Sequence, residues 1–241
     1  MSSLELRKVT VSFKGLTVLS ELDLGFGERS MNVLIGPNGA GKTTVLNALS
    51  GAVRPAGGEV WLDADDVTGE SPTRFARRGV VRKFQVPTVF PGLTVADNLR
   101  VASSAPRPRA TFTSGERDTR QRELSETLGL ADRYEDLAAD LSHGQRQWLE
   151  MGMAFLGDPR FLLLDEPAAG LGPGETQHTA DLIKLMAERC CVIAVEHDMD
   201  FVRALGGEVT VLHQGALLAR GTFKQIEKNT DVRDVYLGRG H

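Results

Sequence analysis

The stretch Gly36-Pro37-Asn38-Gly39-Ala40-Gly41-Lys42-Thr43 decides the fold, because its spacing G-x-x-x-x-G-K-[ST] is that of a phosphate-binding loop. The apolar run 31–35 before it predicts a buried strand, and residues 44–49 after it predict a helix. This context distinguishes the motif from a glycine-rich turn that contains a lysine by chance. We therefore expect backbone N–H groups and the helix N-terminus to bind a phosphate. Lys42 would reach the β- and γ-phosphates, and the Thr43 hydroxyl would ligate Mg²⁺.

The composition limits the class of protein. The chain has 241 residues, of which 41% are hydrophobic, so it can bury a core, and its net charge of −4 argues against nucleic acid as a partner. Cys190 and Cys191 are adjacent within an apolar run, which favours a reducing compartment and a role as small core residues. The first residues do not resemble a secretory signal, and no apolar run is long enough to cross a bilayer. These features predict a cytoplasmic protein.

Alternating strand and helix patterns predict an α/β fold built on a largely parallel sheet. Two runs near the N-terminus, 4–13 and 16–26, predict an antiparallel hairpin. The continuous apolar run 161–164 predicts a central parallel strand. We expect a single domain. The α/β core is predicted to comprise residues 1–85 and 158–241. The inserted helical subdomain is predicted to comprise about residues 86–157.

Two adjacent carboxylates, Asp165 and Glu166, follow the apolar run 161–164. One interpretation is an ordinary strand end that reaches solvent. Buried carboxylates, however, need a cation, and Mg²⁺ held against phosphate oxygens is the natural one beside a phosphate-binding loop. This interpretation predicts Asp165 as a metal ligand, directly or through water. It leaves Glu166 as the base, or as the residue that positions the attacking water.

Polar residues also end other predicted core strands. Gln85 ends the strand before Val86-Pro87, and His197 follows the apolar run 190–195. Ligands of open α/β sheets bind outside the carboxyl ends of the strands. We therefore expect Gln85, His197 and the two acids to converge on the phosphate-binding loop. For His197 itself, a structural and a catalytic role fit the sequence equally well.

Two further features have two interpretations each. Ser142 is a good N-cap before a helix predicted over 146–155. With Gly144 beside it, this helix N-terminus is either an anion-binding site or a plain cap. Phe13 lies near the end of the first predicted strand, where it is either a platform for adenine or a core aromatic residue.

Taken together, these residues resemble the ATP-binding subunits of ABC transporters over nearly the whole chain. Similar motifs in the expected order are Walker A at 36–43, the Q-loop at 84–85, the signature motif at 141–145, Walker B at 161–166 and the H-switch at 196–198. The resemblance implies the P-loop NTPase fold of an ABC ATPase, with an N-terminal antiparallel β subdomain and an inserted helical subdomain. It also implies hydrolysis of ATP with Mg²⁺.

The resemblance assigns roles to single residues. Gln85 would contact Mg²⁺ and the attacking water, and it would transmit the ATP state to a membrane permease. His197 would contact the γ-phosphate, and Phe13 would stack on adenine. Residues 86–90 and the helical subdomain would form the groove that faces the permease.

The resemblance also implies a second ATP-binding subunit, because the chain carries one copy of each motif. Each ATP would lie between two subunits. Residues 36–43 and Thr44 of one subunit would contact it on one side, and the signature motif of the other subunit on the opposite side. The contacts from the signature motif would come from Ser142, Gly144 and Gln145. The second subunit is either another copy of this chain or a paralogue.

The chain departs from the family pattern at two positions. His143 stands in the signature motif where the family more often has glycine, although the key contacts there come from the flanking Ser142 and Gly144. Gly172 stands in the loop after Walker B where many members have an acid. The second departure implies that communication between the two ATP sites differs here.

Within the family, residues 167–171 and 235–238 are similar to the branched-chain amino acid uptake group, and 82–90 with 141–150 are similar to its urea-transporting members. This likeness implies a position on the inner face of the cell membrane. Integral permease subunits would be direct partners, and a periplasmic or extracellular solute-binding protein an indirect one. Two alternatives stay open. One is the ATPase of an exporter, for instance of lipopolysaccharide, and the other is a soluble ABC ATPase that acts on nucleic acid, on ribosomes or in cluster assembly.

Overall fold

The computed structural model describes residues 3–83, 89–103 and 113–237, which form two β-sheets and a set of helices. The strands are β1 Ser3–Phe13, β2 Leu16–Gly27, β3 Met31–Ile35, β4 Gly57–Leu62, β5 Asp65–Asp66, β6 Val80–Lys83, β7 Phe161–Asp165, β8 Cys191–Val195, β9 Glu208–His213 and β10 Ala216–Thr222. The helices are α1 Lys42–Leu49, α2 Pro72–Arg77, α3 Val95–Ser103, α4 Ser114–Thr127, α5 His143–Leu156, α6 Pro173–Ala187, α7 Met199–Leu205, α8 Phe223–Lys228 and α9 Thr230–Leu237. Short 3₁₀ turns lie at Ala131–Arg133 and Ala138–Asp140.

The larger sheet has the strand order β10-β9-β3-β8-β7-β6. Neighbouring strands from β9 to β6 are parallel, and β10 runs antiparallel to β9. The carboxyl ends of β3, β8, β7 and β6 therefore lie at one edge of this sheet. The smaller sheet, β2-β1-β4-β5, is antiparallel and contains the predicted N-terminal hairpin. The predicted α/β fold with an N-terminal antiparallel sheet is confirmed.

Apolar side chains cover both faces of the larger sheet. Leu34, Leu163 and Ile193 belong to a core that includes α1 and the smaller sheet. On the opposite face, Val33 and Leu162 belong to a second core, which is formed with the helices. Successive side chains of a strand point to opposite faces, so a central strand between two cores has to be apolar at every position. This requirement explains the unbroken apolar run in β7.

The described chain between β6 and β7 is helical, and its apolar side chains join the second core. Leu99 on α3, Leu128 after α4 and Leu149 on α5 are fully buried there. A buried ion pair of 3.5 Å between Lys83 Nζ and Glu150 Oε2 also connects the end of β6 to α5. Within the described ranges, no helix is long and apolar enough to span a bilayer.

Asn98 on α3 is a fully buried polar residue that holds the turn before its own helix. Its Oδ1 accepts a hydrogen bond from the Phe90 N–H at 2.8 Å. Its Nδ2 donates to the carbonyl oxygens of Phe90, Leu93 and Thr94 at 3.1, 3.3 and 2.9 Å. One side chain therefore supplies the partner of the Phe90 N–H and adds a second hydrogen bond to three carbonyl oxygens that backbone N–H groups already contact.

We expect N98A to lower the free energy of unfolding by about 2–4 kcal/mol, because it removes the hydrogen bonds of a buried side chain, leaves the Phe90 N–H unsatisfied and opens a cavity. Val101 lies on the same helix with an exposed side chain, so V101A should change stability by less than about 0.5 kcal/mol. Urea denaturation of the two variants measures the difference. Equal stabilities would show that the hydrogen bonds of Asn98 contribute nothing to the fold.

Candidate active site

The phosphate-binding loop connects the end of β3 to the start of α1, at the carboxyl edge of the larger sheet. Two of its glycines are required by close packing. A Cβ on Gly36 would lie 2.3 Å from the Leu212 carbonyl oxygen. Gly41 has a left-handed φ of 98°, and a Cβ there would lie 2.6 Å from a methyl group of Leu19. Only glycine fits both positions, so the two glycines let the loop pack closely against β9 and β2.

Lys42 is the first residue of α1 and is buried. Its Nζ donates hydrogen bonds to the carbonyl oxygens of Gly36 at 2.7 Å and Pro37 at 3.1 Å. Burial lowers the pKa of Lys42, and the nearby Glu166 and Asp165 carboxylates oppose that effect. The ammonium group is therefore held over the loop, within electrostatic range of both acids.

Asp165 ends β7, and its side chain is almost completely buried. Its Oδ2 accepts a hydrogen bond of 3.0 Å from Arg82, which also donates to the side chain of Asn47 on α1. Burial raises the pKa of Asp165, while Arg82 and Lys42 lower it and Glu166 raises it further. The sequence did not indicate Arg82 as a partner of Asp165, because that contact depends on how β6 and β7 pair.

The residues near Asp165 fit a magnesium ion that is shared with phosphate. Asp165 Oδ1 is buried and has no hydrogen-bond partner among the described residues. Thr43, on the first turn of α1, is exposed and available as a hydroxyl ligand. Within the same described ranges, no group of three or more His, Cys, Asp or Glu side chains could hold a metal alone. A metal here would need oxygen ligands from a nucleotide to complete its shell.

Glu166 follows β7 in a left-handed backbone conformation with φ of 48°, which is unusual for a residue other than glycine. Its N–H donates to the Val195 carbonyl oxygen at 3.0 Å, which fixes the turn to the end of β8. Its side chain is partly exposed, and Oε1 lies 3.5 Å from His197 Nδ1. Strained backbone of this kind clusters at functional sites.

The structure therefore brings together Lys42, Asp165, Glu166 and His197. Gln85 lies outside the described residues. Phe13 ends β1 with an exposed side chain. An adenine could therefore stack on Phe13, and the core interpretation of Phe13 is wrong.

Glu196 lies between β8 and His197 and is buried. Its Oε1 accepts a hydrogen bond from the Ala168 N–H, and its Oε2 accepts one from the His197 N–H, both at 3.2 Å. Burial raises the pKa of Glu196 to about 6, against the lowering effect of these two N–H groups. This residue could have been found from its position in the sequence, because a carboxylate directly after a buried strand needs a partner.

The shifted pKa of Glu196 predicts a dependence of stability on pH. The unfolded chain has its ordinary value of 4.5 and the folded chain a value of about 6, so the folded state binds the proton more tightly. The protonated Glu196 side chain therefore contributes to the free energy of unfolding. This contribution is complete below about pH 4.5 and is lost as pH rises through about 6, a change of about 2 kcal/mol. The free energy of unfolding of E196Q minus that of the wild type should therefore rise by about 2 kcal/mol between pH 4.5 and 7.5. A difference that is independent of pH would contradict this pKa.

The predicted anion site at Ser142 is a complete helix cap in this chain. Ser142 Oγ accepts from the Gln145 N–H at 3.1 Å, and Gln145 Oε1 accepts from the Ser142 N–H at 2.9 Å. His143 Nε2 lies 3.3 Å from the Ala169 carbonyl oxygen, in the loop after Glu166. A Cβ on Gly144 would lie 2.5 Å from Glu175 Oε1 on α6. The start of α5 is therefore packed against the segment that follows the two acids.

Comparisons with known proteins give matches over most of the chain. The family profile described as ABC transporter matches residues 19–169. The high-affinity branched-chain amino acid transport ATP-binding protein BraF of Pseudomonas aeruginosa is 38% identical, over 98% of this chain and 97% of BraF. The protein of the same description from Salmonella typhimurium, LivG, is 36% identical over 94% of both chains. A solved structure described as the ADP conformation of an ATP-binding cassette of an ABC transporter has a TM-score of 0.86 and 25% identity. It covers 99% of this chain and 100% of that one.

Proposed function

This chain belongs to the ABC transporter family, whose ATP-binding cassettes hydrolyse ATP, and from that premise we propose that it is the ATPase subunit of a membrane importer. The observation that carries the proposal is the convergence of Lys42, the Asp165-Glu166 pair and His197 at one edge of the sheet. A buried lysine, a buried aspartate and a partly exposed glutamate beside a phosphate-binding loop are suited to ATP and Mg²⁺.

The residues of the site take separate roles in this proposal. The loop 36–43 and Thr44 bind the phosphates through backbone N–H groups, with Lys42 on the β- and γ-phosphates. Asp165 and Thr43 would hold Mg²⁺, and Gln85 would contact that ion and the attacking water. Mg²⁺ supplies charge neutralisation for the phosphate oxygens.

Glu166 and His197 act on the transferred phosphate in this proposal. Glu166 takes the proton from the attacking water or orients that water, and its partly exposed side chain is accessible to it. His197 lies against Glu166, from where it contacts the γ-phosphate. Phe13 stacks on the adenine ring, for which its exposed side chain is suited.

A second ATP-binding subunit completes the site in this proposal. Ser142, Gly144 and Gln145 of that subunit would contact the ATP bound at residues 36–43 of the first. The capping box formed by Ser142 and Gln145 fixes the start of α5. The positive end of the helix dipole at this start would favour the phosphates of that ATP. The partner is a second copy of this chain or a paralogue.

The permease would dock on the helical subdomain, about residues 86–157, on the inner face of the membrane. Phe90 and Leu137 are large apolar side chains that stay exposed there. Their segments are adjacent, because the Ala139 N–H donates to the Pro91 carbonyl oxygen at 3.1 Å, and Thr94 pairs with Leu137. Exposed apolar residues that lie close together are typical of a protein interface.

The transported solute in this proposal is urea or a related small polar solute, including branched-chain amino acids. The similarity of residues 82–90 and 141–150 to urea-transporting members supports urea. BraF and LivG carry branched-chain amino acid transport in their names. Uptake of labelled urea and of labelled leucine, in cells with and without this chain, distinguishes the two. Loss of efflux instead of uptake would favour an exporter.

Affinity capture from membranes of the producing organism tests the importer proposal. We expect the tagged chain to retain a permease with membrane-spanning helices and a second ATP-binding chain. L137E should reduce the captured permease by about tenfold or more, because it buries a charge in the interface. Leu217 on β10 is exposed to nearly the same extent as Leu137, so L217E is the matched control and should leave capture unchanged. If the wild type retains no membrane-spanning protein, the importer proposal is wrong.

A further inference from the structure

Glu196 has no role in the chemistry proposed above, yet both of its carboxylate oxygens contact segments that carry that chemistry. Oε1 accepts the N–H of Ala168, two residues after Glu166, at 3.2 Å. Oε2 accepts the N–H of His197 at 3.2 Å. One buried side chain therefore links the turn that contains Glu166 to the backbone of His197.

The backbone around Glu196 extends this link to the phosphate-binding loop. The N–H of Glu196 donates to the Leu34 carbonyl oxygen at 3.1 Å, on β3 just before the loop begins. The N–H of Glu166 donates to the Val195 carbonyl oxygen at 3.0 Å. The ends of β3, β7 and β8 are thus joined at two consecutive residues, Val195 and Glu196.

The turn after Glu166 contacts α5 on one side, where the Gln147 side chain donates to the Ala169 carbonyl oxygen at 3.1 Å, and Glu196 on the other. Pro167 has no N–H, and Glu166 itself is in a left-handed conformation. Within the turn, the Ala169 N–H donates to the Glu166 carbonyl oxygen at 3.1 Å. The bond from Ala168 to Glu196 ties the backbone of this turn to a buried carboxylate at the end of β8, and bonds to an ionised acceptor are stronger than neutral ones.

We propose that Glu196 is a positioning residue, whose carboxylate clamps the 166–169 turn to the backbone of His197 and so fixes the separation of Glu166 and His197. This inference rests on the proposed function, because Glu166 and His197 are the groups that it positions. Misplacing reacting groups slows a reaction without weakening the binding of substrate. The clamp therefore acts on the turnover number, and the Michaelis constant for ATP stays unchanged.

The test compares E196Q, E196M and the wild type in ATP hydrolysis and thermal unfolding. Glutamine has nearly the shape of glutamate, but its NH₂ group cannot accept one of the two N–H groups. Methionine can accept neither bond but suits a buried position, so it gives a second variant that is expected to fold. We expect kcat to fall at least about tenfold in E196Q and further in E196M, with the KM for ATP within about twofold of the wild type.

A matched control is E70Q, because Glu70 is a partly buried carboxylate paired with Arg78, outside the site. E70Q should hydrolyse ATP at the wild-type rate. The Tm of E196Q should stay within about 5 °C of the wild type near neutral pH, because loss of one hydrogen bond is offset by loss of a buried charge.

Two results would overturn the inference. One is a kcat for E196Q equal to that of the wild type. The other is a fall in kcat accompanied by a raised KM and a lowered Tm, which would show a merely structural role. Hydrogen exchange on the wild-type chain decides the matter if the variants do not fold, because unprotected amides at Ala168 and His197 would exclude the clamp. E166Q in the same assay tests the proposed function separately. If E166Q hydrolysed ATP at the wild-type rate, the proposed role of Glu166 would be wrong, independently of the result for Glu196.

Discussion

Replacing Glu166 with glutamine should lower the rate of ATP hydrolysis by about three orders of magnitude while ATP still binds. Glutamine keeps the size of the side chain but cannot take a proton from water. The substitution also removes a negative charge that would repel the γ-phosphate. The affinity of E166Q for ATP should therefore be equal to that of the wild type or higher. Turnover is measured by phosphate release, and binding by titration calorimetry with ATP and Mg²⁺.

Glu188 provides a control for this experiment. Its carboxylate is exposed at the end of α6, away from the site, and E188Q should hydrolyse ATP at the wild-type rate. If E166Q hydrolysed ATP as fast as E188Q, Glu166 would be neither the base nor the residue that positions the water.

Replacing Lys42 with methionine should weaken the binding of ATP by about 100-fold or more. Hydrogen bonds to charged groups contribute about 1.5–3 kcal/mol each, and Lys42 is proposed to reach two phosphates. The Gly36 and Pro37 carbonyl oxygens already hold the ammonium group over the loop, so little ordering is needed when ATP binds. Methionine suits the buried position, so the variant should fold.

The control for K42M is K184M, because Lys184 is an exposed residue of α6 that pairs with Asp181. Titration with ATP and Mg²⁺ should give K184M the affinity of the wild type within about twofold. An unchanged affinity in K42M would mean that Lys42 does not contact the phosphates.

Local patterns predicted the strand, loop and helix around residues 36–43, because glycine spacing and apolar runs are properties of contiguous sequence. The same logic predicted β7 and the strand end where Asp165 and Glu166 lie. Helix starts were less accurate, because they depend on capping. The helix predicted over 146–155 begins at His143, since Gln145 completes a capping box with Ser142.

The partners of the buried charges could not be predicted in the same way. The Arg82–Asp165 pair depends on the parallel pairing of β6 with β7, which brings together residues far apart in sequence. The bond from Ala168 to Glu196 likewise depends on the pairing of β7 with β8. Register between distant strands is set by the whole fold, so motifs reveal which residues are polar at strand ends but not which of them touch.

The central claim is that one ATP with its metal is bound jointly by the loop 36–43, the two acids and His197. A crystal structure of E166Q with ATP and Mg²⁺ measures this directly. We expect Lys42 Nζ within hydrogen-bond distance of the β- and γ-phosphates, Thr43 and Asp165 in the shell of the metal, and His197 facing the γ-phosphate. An ATP bound elsewhere, or a metal shell without Thr43 and Asp165, would contradict the claim.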